Sequence, residues 1–237
     1  MRSSLVFLTL LNTVALFASA KDMDGTFRYL RLSGSEYREE SIIEIQKRSD
    51  GISIKSVTQR GKTKLVLSSR FDADSRLEVV NVSLETGDQK QTATVVSENG
   101  KATVTRKDGS VDVLDCPANV IVTSAPDWTD CFLLAQHYNS KKSGQQDFAG
   151  LWIHPTRQPL RLTFKVEETG KATVFVDGEQ HQLVELSILL RNNSRYTAWR
   201  DDSNDLVRLI PKGKPQQGIV LAGWKTATAS LTELDSD

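Results

Sequence analysis

The 237-residue chain has few of the residue types on which protein chemistry commonly depends. It contains 2 Cys, 3 His and no excess of either charge, with 30 Lys+Arg against 30 Asp+Glu. So few cysteines exclude a disulfide-dense scaffold, and the even charge balance argues against a nucleic-acid binder, which normally carries a basic excess. With 38% hydrophobic residues and 14 glycines, the chain is neither a disordered tail nor a collagen-like repeat.

Motifs for catalysis and metal binding are also missing. His137, His154 and His181 have neither the i, i+4 nor the H-x-E spacing that places two metal ligands on one face. There is no G-x-S-x-G nucleophile elbow and no glycine-rich phosphate loop, so hydrolase and nucleotide chemistry have no support. We therefore predict a protein that is not an enzyme, with no metal site and no cofactor.

An acidic segment near the C-terminus has a partial likeness to a calcium loop. Asp201, Ser203 and Asp205 stand where such a loop has its first ligands, but Leu206 occupies the place of its required glycine. We expect a polar hairpin turn there instead.

A second acidic pair is the only basis for an enzyme alternative. Asp127 and Asp130 are three residues apart, as a catalytic carboxylate pair on a helix would be, although acids in a first helical turn also stabilise the helix dipole. A catalytic role would require Asp127, Asp130 or His137 to converge in a cleft.

Long apolar runs are confined to the N-terminus. Arg2 precedes an apolar stretch over residues 5–17, and Ala18-Ser19-Ala20 is a small-x-small cleavage pattern. The alternative, a membrane anchor, needs about 20 apolar residues. We predict a signal peptide over 1–20 and a single mature domain over 21–237, exported to the periplasm or the extracellular space and without a transmembrane span after cleavage.

Alternating apolar and polar residues dominate the mature chain. Leu160, Leu162, Phe164 and Val166 alternate with polar residues, as in a half-buried strand. The pattern predicts a mainly β protein: a single antiparallel, strongly curved meander of about a dozen strands, forming a half-barrel or open barrel. Dipeptides that favour hairpin tips separate the runs: Asp50-Gly51, Asn99-Gly100, Asp108-Gly109, Thr169-Gly170 and Asp177-Gly178.

One segment, near residues 125–139, interrupts this period. Ser124 to Asp127 resembles a helix start, with a capping hydroxyl, an early proline and an acid. Apolar residues then follow at helical spacing, among them Trp128, Phe132 and Tyr138. We predict one short central helix packed on the concave face of the sheet.

We also predict a disulfide between Cys116 and Cys131 that ties this helix to the end of a preceding strand. In an oxidising compartment the bridge would contribute on the order of 3 kcal/mol by closing a short loop. Two buried free thiols are the alternative, and the spacing excludes a CxxC redox centre.

Two short sequence features have no assigned role. Asn81 and Asn192 begin N-glycosylation sequons, whose use depends on the host. VSENGKATV at 96–104 and VEETGKATV at 166–174 are closely similar, which fits either a duplicated hairpin or repeated use of one favourable turn.

The whole arrangement resembles exported bacterial half-barrel proteins of the LolA/LolB-like, lipoprotein-carrier-like fold. The features that carry the resemblance are the signal peptide, the long meander, one apolar helix with the run W-T-D-C-F-L-L, and later hairpins ending in Tyr196-Thr197-Ala198-Trp199. In that group a curved sheet wraps a hydrophobic hollow plugged by helix. The resemblance implies non-covalent handling of a lipid or other amphiphile in the cell envelope.

If so, aromatic side chains would line the hollow. The candidates are Trp128, Phe132 and Tyr138 on the helix, with Trp152 and Trp199 facing them from the sheet. Each buried CH₂ contributes about 0.8 kcal/mol, so about a dozen methylenes outweigh the ordering costs. The alternative is that these residues fill the hollow, in which case the protein is a scaffold that binds a protein partner through a sheet edge.

Overall fold

A computed structural model describes residues 24–33, 36–124, 128–190, 194–214 and 217–227, so the predicted signal peptide lies outside the described residues. Within these ranges the chain forms fifteen strands, one α-helix and one short 3-10 helix. The strands are β1 (Gly25–Ser33), β2 (Glu36–Arg48), β3 (Gly51–Arg60), β4 (Thr63–Asp72), β5 (Leu77–Thr86), β6 (Gln89–Glu98), β7 (Lys101–Arg106), β8 (Val111–Asp115), β9 (Ile121–Thr123), β10 (Gln146–His154), β11 (Arg157–Val176), β12 (Glu179–Leu189), β13 (Arg195–Arg200), β14 (Leu206–Pro211) and β15 (Ile219–Leu221). The helix α1 spans Thr129–His137 and the 3-10 helix spans Ala222–Ala227.

All fifteen strands belong to one sheet built from two meanders. Strands β1 to β8 pair in sequence order, and so do β9 to β15. The meanders join where β1 meets β15, with Tyr29 opposite Leu221 and Arg31 opposite Ile219. Pairing is antiparallel except between β9 and β10, which run parallel. The sheet is curled but not closed, and β8 and β9 are its edge strands.

The two-residue period buries the inner face of the sheet. In β4, for example, Leu65, Leu67, Ser69 and Phe71 are buried and alternate with more exposed residues. The same alternation in neighbouring strands forms one continuous core that includes α1. The helix packs mainly on β9, β12, β13 and β14, inside the curl.

Strands β12 to β14 are buried on both faces. Leu186 and Ala198 belong to the main core, whereas Leu183, Trp199 and Val207 belong to a second cluster. The 3-10 helix contributes to this second cluster through Ala227. The second cluster therefore covers the face of these strands away from α1, and the 3-10 helix beside it packs on β1, β11 and β15.

The end of the first meander approaches β11, and side chains bridge the gap. The buried Arg106 donates hydrogen bonds to the carbonyl oxygen of Arg157, at 3.2 Å from Nε and 3.0 Å from Nη2. Arg106 also pairs with Asp112, and Arg161 pairs with Asp115 at 3.2 Å. The curl is thus held by side-chain contacts where no strand ladder connects its ends.

The predicted fold class is confirmed: a mainly β, curved antiparallel sheet with one short helix inside it. The helix begins at Thr129 and ends at His137, within the predicted region. The chain has more strands than the expected dozen, because short strands such as β9 and β15 carry too few residues to show a period.

The predicted hairpin tip at Thr169-Gly170 is wrong. Strand β11 continues through it, with a bulge between Glu168 and Gly170. The tip at Asn99-Gly100 is confirmed, with φ of 52° and 73°, and a two-residue type I′ turn needs positive φ at both positions. Because a β-branched Thr adopts positive φ poorly, the two similar nine-residue segments form a hairpin and a continuous strand, respectively.

Candidate functional site

The helix α1 fills the interior of the curled sheet. Thr129 to Gln136 are all buried. Trp128 occupies the N-cap position instead of the predicted Ser124, and no side chain among the described residues caps the helix. Asp130, in the first turn, accepts hydrogen bonds from the Thr123 hydroxyl at 2.8 Å and from the Cys131 N–H at 2.7 Å. Residues 125–127, which include the predicted start, lie outside the described residues.

The three aromatic candidates on α1 all belong to the main core, spread along the helix from its start to its end. Trp128 is 7% exposed, Phe132 0% and Tyr138 3%. The rings of Phe132 and Phe27 lie 4.8 Å apart, and the Tyr138 hydroxyl donates to the Gly144 carbonyl at 3.1 Å. In this structure the three side chains therefore fill space inside the sheet and hold α1 against its strands.

The two tryptophans expected to face the helix from the sheet lie elsewhere. Trp199 is 1% exposed, but it belongs to the second cluster, on the opposite side of β13 from Ala198. Trp152 is half-buried on β10 and stacks on His154, with ring centroids 5.4 Å apart. Sequence reasoning misplaced Trp199 because a strand buried on both faces has no polar alternation to show which side is inward.

A polar cluster stands at the N-terminal end of α1, and we call it the Glu40 cluster: Arg31, Glu40, Arg60, Trp128 and Tyr196. Glu40 Oε1 accepts hydrogen bonds from Arg60 Nη2 at 2.7 Å and from Trp128 Nε1 at 2.9 Å. Arg31 pairs with the same carboxylate, at 2.9 Å between Nη2 and Oε1. The Arg60 guanidinium also lies over the Trp128 ring, 5.2 Å from its centroid, and the Tyr196 ring meets that ring edge-on at 6.0 Å.

A β-bulge places Glu40 in this cluster. Strand β1 pairs Tyr29 with Ser41 and then Leu30 with Glu39, so Glu40 is the extra residue of β2. A bulge turns a side chain that regular alternation would direct elsewhere, and such irregularities often occur beside functional sites. Glu40 lies in a short run of charged residues of the kind found on many protein surfaces, so no sequence signal identified this residue.

Burial and charge act in opposite directions on Glu40. Burial by itself raises the pKa of this carboxyl, but hydrogen bonds from Arg31, Arg60 and Trp128 outweigh it and hold the pKa below its usual value. Burial also raises the pKa of Tyr196 to about 12, helped by the nearby Cys131 and Asp130 and opposed by Arg60. Two guanidinium groups thus face one carboxylate, and the cluster carries a positive surplus.

The opposite end of α1 is fixed by a buried arginine. Arg200 donates from Nη1 to the carbonyl oxygens of Ala135 at 2.7 Å and Tyr138 at 2.9 Å. Its Nη2 donates to the Ser140 hydroxyl at 2.7 Å, and its guanidinium lies 5.4 Å from the centroid of the Tyr138 ring. Carbonyls at a helix C-terminus have no partner within the helix, so this guanidinium completes the last turn.

The residues of the enzyme alternative are dispersed. Asp130 and His137 stand at opposite ends of α1, about 10 Å apart along the helix axis, and Asp127 lies outside the described residues. Burial raises the pKa of Asp130 and lowers that of His137 to about 4.

Cys116 and Cys131 are free thiols, so the predicted disulfide is not formed in this structure. The backbone N–H of Cys116 donates to Gly100 at 2.8 Å, which places it beside the β6–β7 turn. Cys131 lies in the first turn of α1, where its proximity contributes to the raised pKa of Tyr29 and Tyr196. The two cysteines are packed against different parts of the sheet, and both are buried.

Asp201 to Asp205 form the expected turn between β13 and β14, in which Asp201 Oδ1 accepts from the N–H groups of Ser203 at 3.0 Å and Asp205 at 2.9 Å. Among the described residues no group of three or more His, Cys, Asp or Glu side chains could hold a metal ion. In the same residues no helix has the length and apolarity to cross a bilayer.

No protein-family model matches the chain, and no curated protein matches its sequence. Two crystal structures resemble the fold. A β-barrel-like protein of the domain of unknown function DUF1849, from Brucella abortus, is 9% identical, with a TM-score of 0.50 over 83% of this chain and 92% of that one. A DUF1089 family protein from Pseudomonas aeruginosa is 13% identical, with a TM-score of 0.44 over 74% of this chain and 92% of that one. At 9% identity the likeness to the DUF1849 protein shows a barrel-like fold alone, and the lipoprotein-carrier resemblance stays a prediction.

Proposed function

We propose that the protein is an exported, non-catalytic binding protein of the cell envelope whose ligand is an amphiphile with an anionic head group. Export rests on the signal-peptide pattern of residues 1–20. The observation that carries the binding proposal is the positive surplus of the Glu40 cluster, set between Trp128 and Tyr196 at one end of α1.

The head group binds to the arginines of this cluster. Arg60 is 43% exposed, whereas Glu40 is 5% exposed, so an anion from solvent reaches Arg60 first. A phosphate or carboxylate forms paired, charge-assisted hydrogen bonds with a guanidinium. It therefore competes with Glu40 for Arg60, and this loosens the carboxylate that also holds the Trp128 indole.

The apolar part of the ligand then takes space that α1 now fills. Trp128 belongs both to the Glu40 cluster and to the main core, and Phe132 follows it one helical turn further along α1. Movement of Trp128 exposes the apolar surface beneath it. A tail of about a dozen methylenes gains on the order of 10 kcal/mol on burial, which offsets the contacts that Trp128 gives up.

Native mass spectrometry of the 21–237 protein, purified without detergent from an exporting host, tests this proposal. We expect an added mass of an amphiphile that is lost on gentle activation, retained in Arg28→Gln and strongly reduced in Arg60→Gln. Arg28 is the matched control because it is an exposed arginine of β1 that pairs with Glu39, the exposed neighbour of Glu40 on β2. The proposal would be contradicted if the wild-type protein had only its unliganded mass in several preparations. It would also be contradicted if Arg28→Gln and Arg60→Gln retained the same amount of the bound amphiphile.

A second candidate, a scaffold that binds a protein partner, is favoured by the exposed apolar side chains near edge strand β8. Val111 and Val113 of β8 are 57% and 62% exposed, and Val96 of β6 is 52% exposed. Val96, Thr103 and Val113 stand opposite one another on adjacent strands and form one row that ends at the sheet edge. Exposed β-branched residues on an edge strand favour the addition of another strand.

Cross-linking in the exporting host separates the two candidates. A scaffold acting through β8 yields a cross-linked partner that disappears in Val113→Lys, while Arg60→Gln leaves it unchanged. The amphiphile-binding protein shows the reverse dependence, with ligand lost in Arg60→Gln and kept in Val113→Lys.

A further inference from the structure

The outer face of β2 to β5 carries a shallow cavity of about 310 Å³, on the side of the sheet away from α1. Two rows of paired residues form its floor. Gln46, Ser53 and Arg70 stand opposite one another on β2, β3 and β4. Glu44, Lys55 and Ser68 form the next row. With strands about 4.8 Å apart, four strands span about 14 Å, so this outer groove is long enough for an extended ligand.

Four polar side chains of the groove have no partner of their own in the described ranges. Within the part of the chain that the structure describes, the side chains of Gln46, Arg48, Ser53 and Ser68 make no hydrogen bond or ion pair, and all four line the groove. They offer an amide, a guanidinium and two hydroxyls, which include both donors and acceptors. A ligand that satisfies all four must itself present several hydroxyl or carbonyl groups in a row.

One guanidinium of the groove, that of Arg48, is left without an acidic partner in the part of the chain described. The groove lining holds Arg48, Lys55 and Arg70 against the single carboxylate of Glu44. Lys55 pairs with Glu44 at 3.4 Å, and Arg70 pairs with both Glu78 at 2.7 Å and Asp50 at 2.8 Å, so these two cations are compensated. Arg48 has no acidic partner among the described residues, so an acidic group on the ligand has one clear position.

The shape and rigidity of the surface fit a saccharide better than an apolar ligand or a base. Only Ile54 and Val79 are apolar among the lining residues, and none is aromatic, so neither burial of a hydrocarbon nor base stacking is supported. The groove lies on regular strands inside the sheet, where neighbouring pairs restrain the side chains. A bulge between Arg70 and Phe71 in the β4–β5 pairing bends the sheet at one border.

We propose that the outer groove binds an acidic oligosaccharide, with a carboxylate or phosphate of the sugar on Arg48 and sugar hydroxyls on Gln46, Ser53 and Ser68. This site is separate from the Glu40 cluster and does not depend on the amphiphile proposal. Hydrogen bonds through water extend such recognition across a shallow, solvated surface.

Calorimetric titration of the full mature chain tests the proposal with three probes of equal length: an oligogalacturonate, a sugar-phosphate oligomer and a neutral malto-oligosaccharide. We expect at least one acidic probe to bind about tenfold or more tightly than the neutral probe, because one charge-assisted contact to Arg48 accounts for that ratio. The carboxylate and phosphate arms show which acid the site prefers. Absence of binding by both acidic probes at millimolar concentration overturns the proposal.

Variants locate the binding to this groove. We expect Arg48→Gln to lower the affinity for the acidic probe about tenfold. Ser68→Glu should lower this affinity further, because its carboxylate repels the probe at the opposite side of the groove. Arg38→Gln is the control, since Arg38 is an exposed arginine of the same strand outside the groove. The proposal is overturned if Arg38→Gln and Arg48→Gln lower the affinity for the acidic probe equally, or if Arg48→Gln does not lower it. Thermal unfolding of each variant confirms that these surface changes leave the fold intact.

Discussion

The indole Nε1 of Trp128 donates a 2.9 Å hydrogen bond to Oε1 of Glu40, and so joins the start of α1 to the second strand of the sheet. The bond is buried, and the same oxygen also accepts from Arg60. This single carboxylate therefore holds together elements of the first and second meanders, and the bulge in β2 directs it toward three donors.

Replacing this carboxylate should destabilise the protein far more than replacing its neighbour. Glu40→Gln leaves Arg31 and Arg60 without a negative partner, and we expect a loss of about 2 kcal/mol, below that of a fully buried pair because the arginines reach solvent. Glu39→Gln breaks only an exposed pair with Arg28, in which the side chains are 55% and 45% exposed, and should cost less than about 0.5 kcal/mol. Urea unfolding of both variants measures the difference, and equal losses would show that Glu40 has no such role.

Removing the cap of α1 should loosen its C-terminal turn. Arg200→Met leaves the Ala135 and Tyr138 carbonyls without their donor, and we expect the free energy of unfolding to fall by about 2–3 kcal/mol. Arg195→Met, at an exposed position on the same strand, is the control and should change stability little. Hydrogen exchange of the last α1 amides provides a second measurement, and unchanged protection in Arg200→Met would contradict the capping role.

A methyl group on Gly150 would collide with a buried aromatic ring. A Cβ there would lie 2.3 Å from Cε2 of Phe164, whereas at Gly170 the nearest atom, Glu185 Cβ, is 4.0 Å away. We expect Gly150→Ala to cost about 1–3 kcal/mol through overpacking and Gly170→Ala to be nearly neutral. The double variant Gly150→Ala, Phe164→Leu should recover part of the loss, so additive effects in thermal unfolding would exclude the collision.

His137 should make stability depend on pH. Its pKa is about 4 when folded, because of burial, so between this value and the ordinary pKa of about 6.5 only the unfolded chain takes up the proton. The free energy of unfolding therefore falls as the pH decreases through this window. Removing the group in His137→Gln should narrow the difference in stability between about pH 7 and pH 4 by up to about 3 kcal/mol relative to wild type.

The comparison with wild type isolates His137 from other groups that titrate in acid. Burial raises the pKa of Asp130 and Asp201, which gives the opposite dependence, but both groups are present in each protein. Denaturant unfolding at several pH values measures the difference, and parallel stability curves for the two proteins would contradict the prediction.

Sequence patterns sufficed for the sheet and the helix because both depend on local periodicity. Phe164 and Val166 are buried as the alternation predicts, and α1 lies where the apolar spacing changes. The Glu40 cluster was not predictable, because Glu40 reaches it through a bulge whose position depends on pairing with a distant strand. The turn predicted at Thr169-Gly170 was wrong for a related reason, because continuous pairing with β12 outweighs the weak turn preference of this dipeptide.

The junction of the two meanders has a consequence for the order of assembly. Within each meander, strands pair with neighbours close in sequence, and such local hairpins form quickly. The contact between β1 and β15 joins the two ends of the described chain, so it is available only after almost everything between them has been made. A ribosome still holding the last strand during synthesis therefore keeps the halves apart and delays maturation until the chain is released.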